Sequence, residues 1–137
     1  MKRSIALDVG KARTGVAVSD ALGSFAQPLG FVPMKGLWVE ELKKMVAPYL
    51  PLEALVVGLP RHMNGSEGES AAWARSCAQQ AGEALGCEPH FVDERLTTSQ
   101  ATRILLEGDV SRAKRKVAVD AMSAALILQT YLDSQRS

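Results

Sequence analysis

The first part of the chain alternates short apolar runs with turn residues. Residues 3–9 and 13–19 are rich in Ile, Leu and Val, and residues 10–12 between them include a glycine. This pattern is typical of a β-hairpin. Residues 24–33 supply a third strand, and Pro28 favours a sheet edge for it because proline cannot donate to the ladder. The pattern predicts an antiparallel meander of three strands.

Helices and strands alternate in the middle of the chain. Apolar residues recur at helical spacing over residues 37–50, and a continuous apolar run over residues 54–58 is typical of a strand covered on both faces. Residues 60–70 are rich in Gly, Ser, Asn and Pro, which predicts a loop. A long helix follows and ends at Gly86, and residues 90–94 form a fifth strand. The buried stripe predicted for the long helix consists of Trp73, Cys77, Ala81 and Leu85.

The last third of the chain is predicted to be helical around one polar segment. Thr97 and Gln100 have the spacing of a capping box, which predicts a helix from there to about residue 106. Residues 108–116 are polar and basic and are predicted as a loop. The final helix is expected over about residues 117–133.

The order of these elements predicts an α/β fold. Three antiparallel strands are followed by two right-handed crossovers onto parallel strands, which gives a mixed five-stranded sheet flanked by helices. Strand 1 is expected in the middle, with strands 4 and 5 as its parallel neighbours on one side. The 137 residues are 47% hydrophobic, so we expect a single domain over residues 1–137.

The composition indicates the cellular compartment of the protein more clearly than its activity. The formal net charge is +1, so any attraction to nucleic acid must come from local clusters of basic residues. Two cysteines are too few for a disulfide framework and lack the spacing of a zinc site. The N-terminal apolar run is too short for a signal peptide, and no segment reaches the roughly 18 apolar residues of a membrane span. We therefore expect a soluble, cytoplasmic protein.

Three acidic residues from distant segments are expected to meet at one edge of the sheet. Asp8 ends strand 1, Glu94 ends strand 5, and Asp120 lies in the first turns of an almost wholly apolar helix. Like-charged carboxylates repel one another unless a cation neutralises them. Oxygen ligands favour Mg²⁺ or Mn²⁺, and a pair of such ions would support in-line hydrolysis of a phosphodiester. The sequence thus predicts a metal-dependent catalytic site.

Each of these acids also has a purely structural interpretation. Asp8 is close to a glycine and could be a turn residue, and Asp120 could be the N-cap of the final helix. Asp93 and Glu94 point to opposite faces of a strand, so at most one of them faces Asp8. Glu94 is the preferred candidate and Asp93 the alternative.

Basic residues near these acids are candidate contacts for phosphate groups. A run of Lys and Arg is also typical of a solvated loop, so both interpretations stay open. The candidates are Arg13, Arg95, Arg112, Lys114, Arg115 and Lys116.

Several ordered segments carry a family resemblance that covers nearly the whole chain. Together they resemble the YqgF/RuvX family. The segments are Ala6-Leu7-Asp8-Val9-Gly10, Arg13-Thr14-Gly15-Val16-Ala17-Val18-Ser19-Asp20, Val56-Val57-Gly58-Leu59-Pro60, Met63-Asn64-Gly65, Gly68, Asp93-Glu94-Arg95-Leu96-Thr97-Thr98, Asp120-Ala121-Met122-Ser123-Ala124-Ala125, Ile127-Leu128-Gln129 and Tyr131-Leu132.

The resemblance implies an RNase H-like fold akin to that of Holliday-junction resolvases. Asp8, Glu94 and Asp120 match the acidic positions of the family. The family is associated with two activities, maturation of the 5′ end of the 16S rRNA precursor and resolution of branched DNA, and the resemblance favours the first. A resolvase would act as a homodimer, whereas the processing of one RNA end would not require a second subunit.

Two other classes of function remain open at this stage. Sugar kinases and actin-like ATPases share this sheet and begin with a similar Asp-x-Gly hairpin, but they normally need two such domains. A non-catalytic assembly factor that binds nucleic acid through the basic segment is the other alternative.

Overall fold

Eight regular elements make up the described part of the chain. The computed structural model describes residues 2–94 and 112–135, with side chains for all of these except residues 112–120. The elements are β1 (Arg3–Val9), β2 (Arg13–Ser19), β3 (Ala26–Pro33), α1 (Trp38–Val46), β4 (Leu52–Leu59), α2 (Glu69–Leu85), β5 (Pro89–Asp93) and α3 (Arg112–Gln135). A short 3-10 turn, Ala47–Tyr49, follows α1.

The five strands form one mixed sheet in the order β3-β2-β1-β4-β5. β1 pairs antiparallel with β2, and β2 pairs antiparallel with β3. On the other side, β1 pairs parallel with β4, and β4 pairs parallel with β5. The predicted meander, the two parallel strands and the central position of β1 are all confirmed. The carboxyl ends of β1, β4 and β5 consequently meet at the same edge of the sheet.

β3 lies at an edge of the sheet, as Pro28 indicates. Val16 pairs with Gly30 and Ala17 pairs with Pro28, so one residue of β3 bulges out of the ladder beside the proline. The strand also begins two residues later than predicted. Its first predicted residues belong instead to a turn in which the Asp20 carboxylate accepts a hydrogen bond from the Ser24 backbone N–H at 2.8 Å.

Helices cover both faces of the sheet. Alternate residues of each strand face opposite sides, so Leu7 packs with α1 and α2 while Ala6 packs with α3. The α3 side of the core consists largely of alanine together with Val56, Ile127 and Leu128. Small side chains let a helix lie close to the sheet, which brings α3 near the carboxyl ends of the parallel strands.

The final helix is longer than the sequence pattern predicts. The segment predicted as a basic loop forms the first turns of α3, which begins at Arg112. Lys, Arg and Ala are all strong helix formers, so the charge of this segment does not interrupt the helix. Asp120 lies more than two turns inside α3, and the N-cap interpretation of that residue is wrong. The helix predicted after Thr97 lies outside the described residues.

Candidate active site

Two acidic side chains meet at the carboxyl edge of the parallel strands. Asp8 is paired with Gly15 in the β1–β2 ladder, so it is a strand residue, and its interpretation as a turn former is wrong. Glu94 follows the last residue of β5. β4 lies between these two strands, and its glycine at position 58 pairs with Val92 of β5. Three adjacent strands therefore position the pair.

The two carboxyl groups are close enough to share a proton. Burial, a hydrogen bond with Asp8 and the negative charges of Asp8 and Asp93 together raise the pKa of Glu94 to about 9, with burial the largest cause. At neutral pH, without a cation, these effects favour a protonated Glu94 carboxyl that shares its proton with Asp8. Glu94, the preferred candidate of the two adjacent acids, is hydrogen-bonded to Asp8.

Gly58 leaves the space that the Glu94 side chain occupies. A Cβ atom at position 58 would lie 2.5 Å from Glu94 Oε1 and 2.5 Å from Ile127 Cδ1. A larger residue would therefore displace the side chain of Glu94 or of Ile127. Gly58 is not among the predicted site residues, although a glycine inside an otherwise apolar strand often marks the close approach of another group.

α3 approaches the same point through Ile127. Position 120 is seven residues earlier, which is nearly two full turns, so it lies on the same face of the helix about 10 Å closer to its N-terminus. The side chain of Asp120 is not among those described. Within the described side chains, no group of three or more His, Cys, Asp or Glu residues could hold a metal ion.

Trp73 lies at the turn that follows β1, and its predicted place in the core is wrong. The other three residues of the predicted stripe of α2 are buried, but Trp73 is 37% exposed. Its indole Nε1 donates a hydrogen bond to the backbone oxygen of Gly10 at 3.1 Å. The ring therefore lies against the turn at the end of the sheet and not beneath the sheet. The helical spacing of apolar residues identifies the side of α2 that faces the sheet, but it does not show where the sheet ends.

Of the predicted phosphate contacts, Arg13 alone has a described side chain. It is half-buried at the start of β2, and its guanidinium carbon lies 5.6 Å from the centroid of the Phe31 ring. Such stacking holds the charge at a fixed place beside the β1–β2 turn. Arg95 lies outside the described residues. Arg112, Lys114, Arg115 and Lys116 lie on the first turns of α3, where only the backbone is described.

The loop after β4 is tied to α2 by an ionic contact. The Glu67 carboxylate accepts two hydrogen bonds from Arg75, both of 2.8 Å, and Arg61 lies 3.9 Å from the same carboxylate. The hydrogen bond with Arg75 lowers the pKa of Glu67. Bidentate pairing of this kind fixes the geometry of both partners. The loop is thereby held next to the first turns of α2.

A mixed five-stranded sheet with helices on both faces and paired carboxyl groups at the carboxyl edge of its parallel strands is characteristic of the RNase H-like class of proteins. The chain belongs to the RuvX family: the family model described as "Holliday junction resolvase" matches residues 2–134. Its relatives cover almost the whole chain, which agrees with the family resemblance of the sequence motifs.

Two relatives show the extent of the similarity. A protein of Moorella thermoacetica is 47% identical over 133 residues, and one of Lactococcus lactis subsp. lactis is 43% identical over 136 residues. In both cases 96% of this chain and 94% of the relative are covered. Both relatives carry the name "Putative pre-16S rRNA nuclease".

A solved structure shares the fold. Thermus thermophilus RuvC, in a complex with a Holliday junction substrate, matches with a TM-score of 0.54 at 15% identity, over 100% of this chain and 97% of RuvC. This similarity confirms the RNase H-like fold. Separately, none of the helices in the described part of the chain has the length and apolar character of a membrane span.

Proposed function

We propose that this protein is a metal-dependent nuclease that hydrolyses phosphodiester bonds in the 5′ region of the 16S rRNA precursor. The observation that carries the proposal is the pair of carboxyl groups of Asp8 and Glu94 at the sheet edge. Membership of the RuvX family supports an activity on nucleic acid, and the names of the relatives favour the ribosomal precursor as substrate.

The residues present fit a divalent cation. Ionisation of both Asp8 and Glu94 is energetically unfavourable unless a positive charge lies between them. A cation can supply that charge and replace the shared proton. Carboxylate oxygens favour Mg²⁺ or Mn²⁺, and we propose Asp8, Glu94 and Asp120 as the ligands of a two-metal site. Such ions, when bound, supply an activated water and stabilise the leaving oxygen.

Other residues are proposed to position the carboxyl pair and to supply positive charge for the substrate. Gly58 keeps open the space in which Glu94 reaches Asp8. We propose that Arg13, which stacks on Phe31, contacts a backbone phosphate. We propose the same role for Arg95, Arg112, Lys114, Arg115 and Lys116. Phosphate contacts position a substrate and do not select a base sequence, so specificity must come from RNA structure or from other contacts.

Resolution of Holliday junctions is a second candidate function, favoured by the description of the matching family model. A resolvase cuts two strands symmetrically, so this alternative requires a two-fold homodimer. The oligomeric state and the cleavage pattern therefore separate the two candidates. A non-catalytic assembly factor is the third possibility, and it requires the basic residues of α3 but not the carboxyl pair.

The decisive experiment is a cleavage assay with two labelled substrates. An RNA that carries the extended 5′ end of 16S rRNA and a four-way DNA junction would each be incubated with Mg²⁺, with Mn²⁺ or with EDTA. The proteins compared would be the wild type, Asp8→Asn and the control Glu53→Gln, an exposed carboxyl near the opposite sheet edge.

The expected result is metal-dependent cleavage of the RNA by the wild type and by Glu53→Gln, and none by Asp8→Asn. Symmetric cutting of the junction by a dimer would favour the resolvase. If Asp8→Asn kept full function while charge reversal at Arg115 and Lys116 abolished it, the assembly-factor alternative would replace the nuclease.

We also propose that residues 1–137 form a single domain that acts in the cytoplasm. Cys77 is buried and Cys87 is half-buried, and both are free thiols, which suits a reducing compartment. Limited proteolysis that releases a stable fragment much shorter than the chain would contradict the single domain.

A further inference from the structure

We infer that Trp73 forms a stacking site for one unpaired nucleobase at the sheet edge that carries the carboxyl pair. The inference rests on the proposed nuclease function and extends it, because it identifies the substrate segment at the site as single-stranded. It concerns a residue that the proposed chemistry does not use.

The exposure of Trp73 is unusual for its position in the helix. Cys77, one turn further along α2, is fully buried, whereas Trp73 is 37% exposed. Its neighbours three residues away on the helix surface, Ser70 and Ser76, are small and exposed. These side chains are too small to cover an indole ring. The exposed part of the ring is therefore available for stacking at the sheet edge.

The orientation of the ring is fixed before any ligand binds. The hydrogen bond from Nε1 to the Gly10 oxygen joins residues 63 positions apart in sequence and satisfies the only polar atom of the indole. The ring thus needs no further polar partner. Preorganised aromatic groups lose little conformational entropy on binding, so most of the stacking energy is available for affinity.

Trp73 lies at the same edge of the sheet as the carboxyl pair, on the face that α2 covers, whereas Asp8 is on the face that α3 covers. Gly10 follows Asp8 by two residues, so its carbonyl lies within about 7 Å of chain from the strand residue that carries the carboxylate. Val9 packs against Ala71 and Ala74, which fixes the first turns of α2 at the same sheet edge. We therefore expect a nucleotide stacked on the ring to flank the segment being cut, across the edge of the sheet.

Two basic residues lie in and just after the turn that anchors the indole. Lys11 is exposed at the β1–β2 turn, next to the Gly10 carbonyl that anchors the indole, and Arg13 follows at the start of β2. An aromatic platform flanked by cations is the arrangement that proteins use for single-stranded nucleic acid, where bases stack and phosphates are neutralised. In a duplex both faces of a base are already stacked, so a paired base cannot use the site.

The test measures binding in EDTA, where cleavage cannot interfere. A labelled 12-nucleotide RNA and the same sequence as a duplex would be titrated with the wild type, Trp73→Ala, Trp73→Phe and the control Phe25→Ala. Phe25 is an equally aromatic residue, 65% exposed in the β2–β3 turn at the opposite edge of the sheet. A series of RNAs, each with one abasic position, would then locate the stacked base.

Single-strand affinity is expected to fall about 5- to 100-fold in Trp73→Ala, and Trp73→Phe should keep most of it. Duplex affinity should not change, and Phe25→Ala should match the wild type. One abasic position should reproduce the loss in the wild type and cause no further loss in Trp73→Ala.

Other outcomes would overturn the inference in distinguishable ways. Unchanged single-strand binding in Trp73→Ala would remove the stacking site while leaving the nuclease proposal intact. Equal losses of cleavage in Trp73→Phe and Trp73→Ala, with normal binding, would show that the indole N–H only positions the turn. Binding that depends on Trp73, without cleavage of the 5′-extended RNA in Mg²⁺ or Mn²⁺, would overturn hydrolysis alone. No single-strand binding by the wild type would overturn the stacking site.

Discussion

Replacement of Glu94 by glutamine should stabilise the metal-free protein at neutral and alkaline pH. The change keeps the shape of the side chain, and its amide can still donate a hydrogen bond to Asp8. It removes the need to keep a buried carboxyl protonated. The effect on stability should therefore depend on pH and vanish in acid.

The magnitude follows from the pKa of Glu94, about 9 in the folded protein against 4.5 for the free side chain. Between these values the folded state binds more protons than the unfolded state, so the stability of the wild type falls as pH rises. At pH 7 only the part of the shift between 4.5 and 7 has taken effect, which corresponds to a cost of about 3 kcal/mol. Partial exposure of the group lowers this by screening, and we expect about 1–3 kcal/mol.

The assay is urea denaturation in EDTA at pH 5, 6, 7 and 8, with Glu53→Gln as the control. Glu94→Gln should match the wild type at pH 5 and exceed it increasingly towards pH 8, while Glu53→Gln follows the wild type throughout. Addition of Mg²⁺ should stabilise the wild type more than Glu94→Gln, because a cation bound only by the folded state adds to stability. Parallel pH profiles for the wild type and Glu94→Gln would refute the shared proton.

Two further changes test, in turn, the space around the carboxyl pair and the attachment of α3 to β3. Gly58→Ala should lose cleavage and about 1–3 kcal/mol of stability, because the new Cβ would lie 2.5 Å from both Glu94 Oε1 and Ile127 Cδ1; normal cleavage by this variant would show that the space is not needed. Gln129 should be structural: its side-chain oxygen accepts from the Ala26 N–H and its amide donates to the Ser24 oxygen, both at 2.9 Å. Gln129→Ala should therefore lose about 1–2 kcal/mol in thermal or urea unfolding with an unchanged rate of cleavage, and a lost rate without destabilisation would contradict this.

Most of the fold could be predicted from hydrophobic periodicity. β1 and β2 were predicted with their observed bounds, because two apolar runs around a glycine turn permit few other structures. Pro28 correctly indicated the sheet edge, since its missing N–H is tolerated there. The meeting of Asp8 with Glu94 followed from strand order alone, as parallel strands end at a common edge.

Three features differ from the sequence predictions for different physical reasons. α3 begins earlier than predicted because its first turns lack an apolar stripe, although their residues are strong helix formers. Trp73 shares the period of Cys77, which predicts a core position, but the sheet ends before the helix does. The role of Gly58 depends on a side chain 36 positions later, Glu94, that reaches the same space, and local sequence does not show this.

The central proposal is that the carboxyl pair binds a divalent cation and that the protein needs this cation to cleave RNA. Its most direct test is the single-turnover rate of cleavage of the 5′-extended 16S RNA as a function of Mg²⁺ concentration, in the wild type and in Asp8→Asn. We expect saturable Mg²⁺ dependence in the wild type and a rate at least about 100-fold lower in Asp8→Asn, since loss of a direct ligand should exceed the effect of an outer-shell change. Equal rates in the two proteins, or cleavage that persists in EDTA, would contradict the claim.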